Sequence, residues 1–172
     1  MRAWTFGALL LAQETEWLTI DFRGTLMPKL LRNILATVAG IVIGGSVNGF
    51  LIKLSPSLIP PPAGIDVNNA ESLAKGIHLF EPRHFIMPFL AHALGTLVGA
   101  FLAHLIAVTN RTRRAYVIGV FFLLGGIAAS MMIPAPGWFK ALDLLVAYIP
   151  MAWLAAQVAT RLRPENDLAS TN

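Results

Sequence analysis

The stretch HFIMPFLAHALGTLVGAFLAH, residues 84–104, decides how this chain is read. As an α-helix it would be about 32 Å long, against a bilayer hydrocarbon core about 30 Å thick. Yet it contains His84, His92 and His104. Along a helix, His84 lies about 12 Å from His92, and His92 about 18 Å from His104. No two of them can share a metal ion on this helix alone, because Zn–N bonds are about 2.0–2.1 Å. Each imidazole therefore needs its own explanation.

Three further runs have the same apolar character. Together they predict four membrane-spanning helices, over residues 33–52, 84–108, 115–133 and 138–160. Composition agrees. Of 172 residues, 56% are hydrophobic and 13% charged, whereas a soluble domain carries about 25% charge. In lipid the backbone must satisfy its own hydrogen bonds, so such runs form helices. The expected fold is all-α and polytopic, with four transmembrane helices in a compact bundle of two antiparallel hairpins over residues 27–163. The chain has no cysteine, which excludes disulfides and thiolate metal sites. A phosphate loop, His-Glu-x-x-His and Gly-x-Ser-x-Gly are all missing from the sequence, so the common soluble-enzyme motifs give no catalytic set, metal site or cofactor.

Basic residues orient the helices. Arg2, Arg23, Lys29, Arg32, Arg111, Arg113, Arg114, Arg161 and Arg163 fall on one side, and Lys53, Lys75, Arg83 and Lys140 on the other. The positive-inside rule then makes both termini cytoplasmic. The same clustering beside apolar runs explains the net charge of +4 without a nucleic-acid partner. The loop 53–83 becomes the one sizeable external segment. Its start, LSPSLIPPPAGID, is expected to be extended and stiff, and ESLAKGIHLF to form a short helix. Residues 1–26 fit the pattern poorly. They read either as an extension upstream of a natural start at Met27 or as a short amphipathic helix on the membrane. The tail, 164–172, is polar and expected to be disordered.

Small residues recur every fourth position in the first two spans: Ala36, Gly40, Gly44 and Asn48, then Ala91, Gly95, Gly99 and Ala103, with Gly45 and Gly49 repeating the spacing. Such stripes let helix backbones approach closely, so the spans carrying Gly40, Gly44, Gly95 and Gly99 are expected to pack together. A homo-oligomer or a membrane-protein partner would use the same motif.

Polar residues inside spans are costly, about 2.5–3.5 kcal/mol for a central acid on insertion scales. His92, Asp143, Asn48, Ser46 and Ser130 lie at similar depth from the external ends of their spans, which predicts one polar layer. Asp143 needs a partner there, with Lys140 and His92 as candidates. Two readings follow. In one, Asn48, His92 and Asp143 form a ligand or proton-responsive pocket, an imidazole being suited to charge changes between about pH 5 and 8. In the other, the layer only fixes helix register. Glu81 and His84, in FEPRH, form a boundary pair. Pro82 suits a first helical position and makes Glu81 a candidate cap. Their Glu-x-x-His spacing also occurs in carboxylate-bridged metal sites, which need a second such motif. His104 is expected at the opposite interface, within reach of headgroups. Pro150 is expected to kink the fourth span and free a carbonyl near Tyr148.

The segments HLFEPRHFIMPFLAHALGTLVGAFLAH, GVFFLLGGIA, PAPGWF and LDLLVAYIPMAWLA, with the SLIPPPAGID turn, resemble a family of small, uncharacterised four-span bacterial inner-membrane proteins. The resemblance covers residues 27–159. It implies a multi-pass protein of the bacterial inner membrane and a four-helix arrangement, and it carries no functional residue onto this chain. Three functions stay open: a non-enzymatic packing or partner-binding component, a small transporter or pH or ligand sensor, and a membrane enzyme acting through Glu81 and His84.

Overall fold

The computed structural model describes residues 18–20 and 26–164. Near the start, Leu18–Ile20 (β1) and Leu26–Pro28 (β2) pair antiparallel, with Thr19 opposite Met27. The two readings of residues 1–26 concern mainly positions 1–17 and 21–25, which lie outside the described residues, as does the tail from 165.

All other regular structure is helical: α1 (Lys29–Leu58), α2 (Ala70–Gly76), α3 (Ile86–Ile106), α4 (Arg111–Met132), α5 (Gly137–Val146) and α6 (Ile149–Leu162). A 3-10 turn, Pro82–Phe85, leads into α3. Four helical stretches are long and apolar enough to cross a membrane: Lys29–Leu58, Pro82–Ile106, Arg111–Met132 and Gly137–Leu162. Met131 and Met132, 83% and 82% exposed, belong to the apolar surface that a bilayer would cover.

Two segments depart from simple rods. First, α1 continues to Leu58, although LSPSL was expected to be extended. Pro56 is in its last turn, and the Ile59 N–H still closes on the Ser55 carbonyl at 2.8 Å. Lysine and leucine are good helix formers, and one proline so near the end removes a single internal bond. The helix stops at Ile59 because the residue before a proline avoids the α region, and Pro60 follows. Second, the fourth span is broken at Ala147–Tyr148, between α5 and α6. Pro150 has no N–H to offer the Val146 carbonyl, so the ladder is interrupted there, as its position predicts. The external loop does contain a short helix, α2, whose N-cap Asn69 accepts from the Ser72 N–H at 3.0 Å.

Helix α3 is central. It packs along α1 on one side and against α4 and α6 on the other. Glycine sets the α1–α3 approach. A Cβ at Gly40 would lie 2.6 Å from the Gly99 carbonyl oxygen, and one at Gly99 would lie 2.5 Å from the Gly40 oxygen. One turn along, Gly44 and Gly95 are reciprocal in the same way, at 2.6 and 2.8 Å. Partners step up the chain on α1 while stepping down on α3, so the two helices run antiparallel. Gly45 and Gly49 meet nothing within 4 Å. They share the four-residue spacing but lie off this contact face. Further along α3, Ala100 and Ala103 join Ala115, Ile118, Ala152, Ala155 and Ala156 in an alanine-rich core.

At the arginine-rich end, the α3–α4 turn is held from α1. Asn33, 3% exposed, accepts from the Val108 N–H at 3.0 Å and donates to Thr109 Oγ1 at 2.6 Å. The last carbonyls of α3 are met by cations, as the negative end of a helix favours: Arg32 donates to Ile106 at 3.3 Å, and Arg163 to Leu105 and to Ala107. Asn33→Ala should therefore strand the buried Val108 N–H and lower stability by about 1–3 kcal/mol. Thermal unfolding in detergent measures this, and an unchanged midpoint would refute the role.

His104 belongs to the same end but is not interfacial. It is fully buried, with Nε2 3.2 Å from Thr160 Oγ1 and 3.5 Å from Thr112 Oγ1. Distance along the helix places it near the headgroups. Its face of α3 points inward at α4 and α6, and that decides its environment.

Candidate functional site

The site is at the opposite end of the bundle, beneath the 53–83 loop. His92 enters from the second turn of α3, and Asp143 from α5. The His92 Nδ1 is 2.8 Å and 2.9 Å from the two carboxylate oxygens of Asp143. The Tyr148 hydroxyl donates to Asp143 Oδ2 at 2.9 Å. The His92 and Tyr148 rings stack with centroids 5.8 Å apart. Asp143 is 5% exposed and Tyr148 2%. Both oxygens of this carboxylate therefore have a donor in reach, as a carboxylate buried in an apolar bundle requires.

Local structure makes the triad. In a continuous helix, residues five apart point about 140° away from each other, so Tyr148 could not reach Asp143. The break before Pro150 turns the chain and brings the phenol back. Gly126 of α4 leaves the space it needs, since a Cβ there would fall on the Tyr148 hydroxyl. Sequence reasoning found His92 and Asp143 but missed Tyr148. The available signal was an aromatic with a hydroxyl two residues before a span-breaking proline.

The rest of the expected polar layer does not assemble. Ser46 donates to the Val42 carbonyl at 2.8 Å, and Ser130 to the Ile127 carbonyl at 2.7 Å. A serine in a helix can satisfy its hydroxyl on the preceding turn, so it needs no partner across the bundle. Asn48 packs its Cβ beside Gly95 in the α1–α3 contact, and its side chain makes no hydrogen bond to the described residues. Lys140, the other candidate partner of Asp143, instead donates to the Ser130 carbonyl at 2.6 Å.

At the boundary Glu81 is the N-cap of the 3-10 turn and Pro82 opens it, as expected. The Glu81 carboxylate turns outward to Arg83 at 3.0 Å. The His84 ring does the capping: the Glu81 N–H donates to His84 Nδ1 at 2.9 Å. This is the back half of a capping box, with imidazole in the place of the usual glutamate. Among the described residues, no three His, Asp or Glu side chains come together to hold a metal ion.

Above the triad lies a cavity of about 550 Å³, within the range of about 300–1,000 Å³ for small-molecule sites. His92, Asp143 and Gly126 lie at its base. One wall is the end of α1, with Ile52, Lys53 and Pro56, and the loop adds Ile59, Pro61 and Val67. The facing wall comes from Phe85 and Pro88 at the start of α3, from Ser130 and Ile133 of α4, and from Phe139 and Lys140 of α5. An aromatic cluster of Phe85, Trp138 and Phe139 braces it, with Phe85 and Phe139 centroids 4.7 Å apart. Walls are mainly apolar, with a few polar groups grouped at the base and rim.

By length and composition, the four long apolar helices are those of a multi-pass membrane protein. No protein-family model, curated protein or solved structure matches the chain.

Proposed function

We propose that this chain is a non-enzymatic integral membrane protein that takes up a small ligand from the external side, in the cavity above His92, Asp143 and Tyr148. The observation that carries the reading is the cavity's position directly over a buried carboxylate–imidazole pair. An acid placed inside a span is expected to serve a site or a pathway. The pair holds the His92 ring by Nδ1 and leaves Nε2 with no partner among the described residues. The ring is thus oriented by a carboxylate behind it, an arrangement that positions imidazoles in many working sites. The lysine and arginine distribution supports external placement of the loop and cytoplasmic placement of both ends. The resemblance to bacterial four-span proteins supports an inner-membrane location, in a bundle of two antiparallel hairpins.

The test exploits the absence of cysteine. Ser130→Cys, at the cavity wall, is expected to react in intact cells with a membrane-impermeant maleimide. Ala155→Cys, in the 1%-exposed alanine core, is expected to stay unreacted until the protein is unfolded. A Ser130→Cys variant that folds but is not labelled would overturn external uptake.

A second reading, a packing or partner-binding component, is supported by the outward Gly45 and Gly49 of α1, which meet nothing within 4 Å. A glycine stripe left open on the lipid side suits a second helix. Loss of a co-purifying partner or of self-association on replacing both glycines by leucine would favour it.

A further inference from the structure

The charges around the cavity point to a narrower ligand class, and we infer that it binds a single-chain amphipathic anion, with the head group held between Lys53 and Lys140 and the alkyl chain against the apolar walls. This inference rests on the ligand-cavity reading above.

The titratable groups lining the cavity are Lys53, His84, His92, Lys140 and Asp143. Asp143 is the lone carboxylate of that set, and its two oxygens are already engaged by His92 and Tyr148. Glu81 is turned away to Arg83, and Glu71 to Lys75 on the outer surface. Asp66, beside the lining residues Val67 and Asn68, accepts from the Asn68 N–H at 2.9 Å and is not itself part of the lining, so no second carboxylate lines the cavity with the lysines. Lys53 has no ion pair or hydrogen bond among the described residues. Lys140 spends one of its three N–H donors on the Ser130 carbonyl, and a carbonyl does not neutralise it. The cavity's uncommitted charge is therefore positive, from Lys53 of α1 and Lys140 of α5, both of which line it. A cationic ligand would meet two like charges and no free carboxylate. A purely apolar ligand would leave both ammoniums without a counter-charge beside low-dielectric walls.

The walls complete the argument. The lining beside the lysines and the triad is chiefly apolar, with Pro56, Ile59, Phe85, Pro88, Ile133 and Phe139. Lysines at a rim with apolar surface below suit a molecule with one charged end, because their stems cover hydrocarbon while their heads stay at the polar boundary. A carboxylate head and a phosphate monoester head share this chemistry.

The experiment uses the full chain in zwitterionic lipid nanodiscs, with four amphiphiles of equal chain length below their micellar concentrations: dodecanoate, dodecyl phosphate, dodecanol and dodecyltrimethylammonium. Binding is followed by intrinsic tryptophan fluorescence and thermal stabilisation. At least one anion is expected to bind saturably, and the cation not to. Preference between the two anions distinguishes a carboxylate from a phosphate source. Lys53→Gln and Lys140→Gln should each weaken anion binding by about tenfold or more, the effect of losing one charge-assisted contact. Lys53→Glu, on the exposed end of α1, serves as a second variant that leaves the Lys140–Ser130 contact in place, and it should abolish binding.

Equal binding of dodecanol and the anions, unaffected by the lysine variants, would overturn the inference. So would preferential binding of the cation, or no binding of any amphiphile. In each of these cases labelling of Ser130→Cys would still stand, and the cavity reading with it. Loss of that labelling would remove both.

Discussion

Replacing Gly99 with leucine is expected to unseat α1 from α3, the largest structural effect of any single change predicted for this protein. The reason is what surrounds the missing side chain. A Cβ at Gly99 would lie 2.5 Å from the Gly40 carbonyl oxygen and 3.3 Å from the Gly44 Cα. Both neighbours are backbone, so neither can rotate away, and the helices must separate. Adding carbon to a packed contact costs about 1–3 kcal/mol, and in lipid no hydrophobic force draws the helices back together. Gly99→Ala should already lower the unfolding midpoint, at about 2–4 °C per kcal/mol for a chain of this size. Gly99→Leu should leave α1 undocked and the protein prone to proteolysis. The control is Gly45→Ala. That position meets nothing within 4 Å, and alanine is the better helix former by about 0.5–1 kcal/mol, so stability should hold or rise slightly. Opposite signs at a glycine on the α1–α3 contact and at one off it would establish that contact face and not composition decides. If Gly99→Ala unfolds at the same temperature as the parent, the close approach is not a source of stability.

Asp143→Leu is the second. It removes the acceptor shared by His92 and Tyr148 and strands two donors inside the bundle. Leaving a buried donor without its acceptor costs about 1–3 kcal/mol, and two donors lose theirs here. The cost falls chiefly on Tyr148, which is 2% exposed, and is reduced at His92, whose side chain is 21% exposed. Asp143→Asn should be milder, about 1–3 kcal/mol. The amide offers one acceptor oxygen where the carboxylate offered two, and its NH2 replaces an acceptor with a donor. Tyr148→Phe removes one hydrogen bond and should cost about 1 kcal/mol. The decisive form is a cycle of His92→Leu, Asp143→Leu and the double variant, read by unfolding in detergent. Coupled neighbours deviate from additivity by about 0.5–3 kcal/mol, and the double variant should be more stable than the two single losses summed. Strict additivity would mean that the contact holds no interaction energy.

The two predictions differ in how much of them could be read from the residues. Glycine spacing in spans one and two announces a close contact before any coordinates exist. It does not say that Gly40 and Gly44 form the contact while Gly45 and Gly49 do not, because both pairs satisfy the same four-residue repeat. Likewise Asp143 demands a partner on the cost of a buried acid alone, and the depth count brings His92 level with it. The same depth count also admitted Asn48, Ser46 and Ser130, which the fold leaves out. Depth is one coordinate, and the serines can satisfy themselves on their own helices.

What the residues by themselves determined is therefore the class: four apolar runs of spanning length, a proline interruption in the fourth, the helix in the external loop, and the two polar residues that must not face lipid. These follow from local chain length, hydropathy and backbone chemistry, which do not depend on neighbours. Only the tertiary structure decided which face of each helix meets which other. It buried His104, gave the Glu81 backbone to the His84 ring, sent Lys140 to a carbonyl, and folded Tyr148 back onto Asp143 beside Gly126. Helix rotation and crossing register are collective properties of the packed bundle, set by where glycine lets backbones meet, and no single span specifies them.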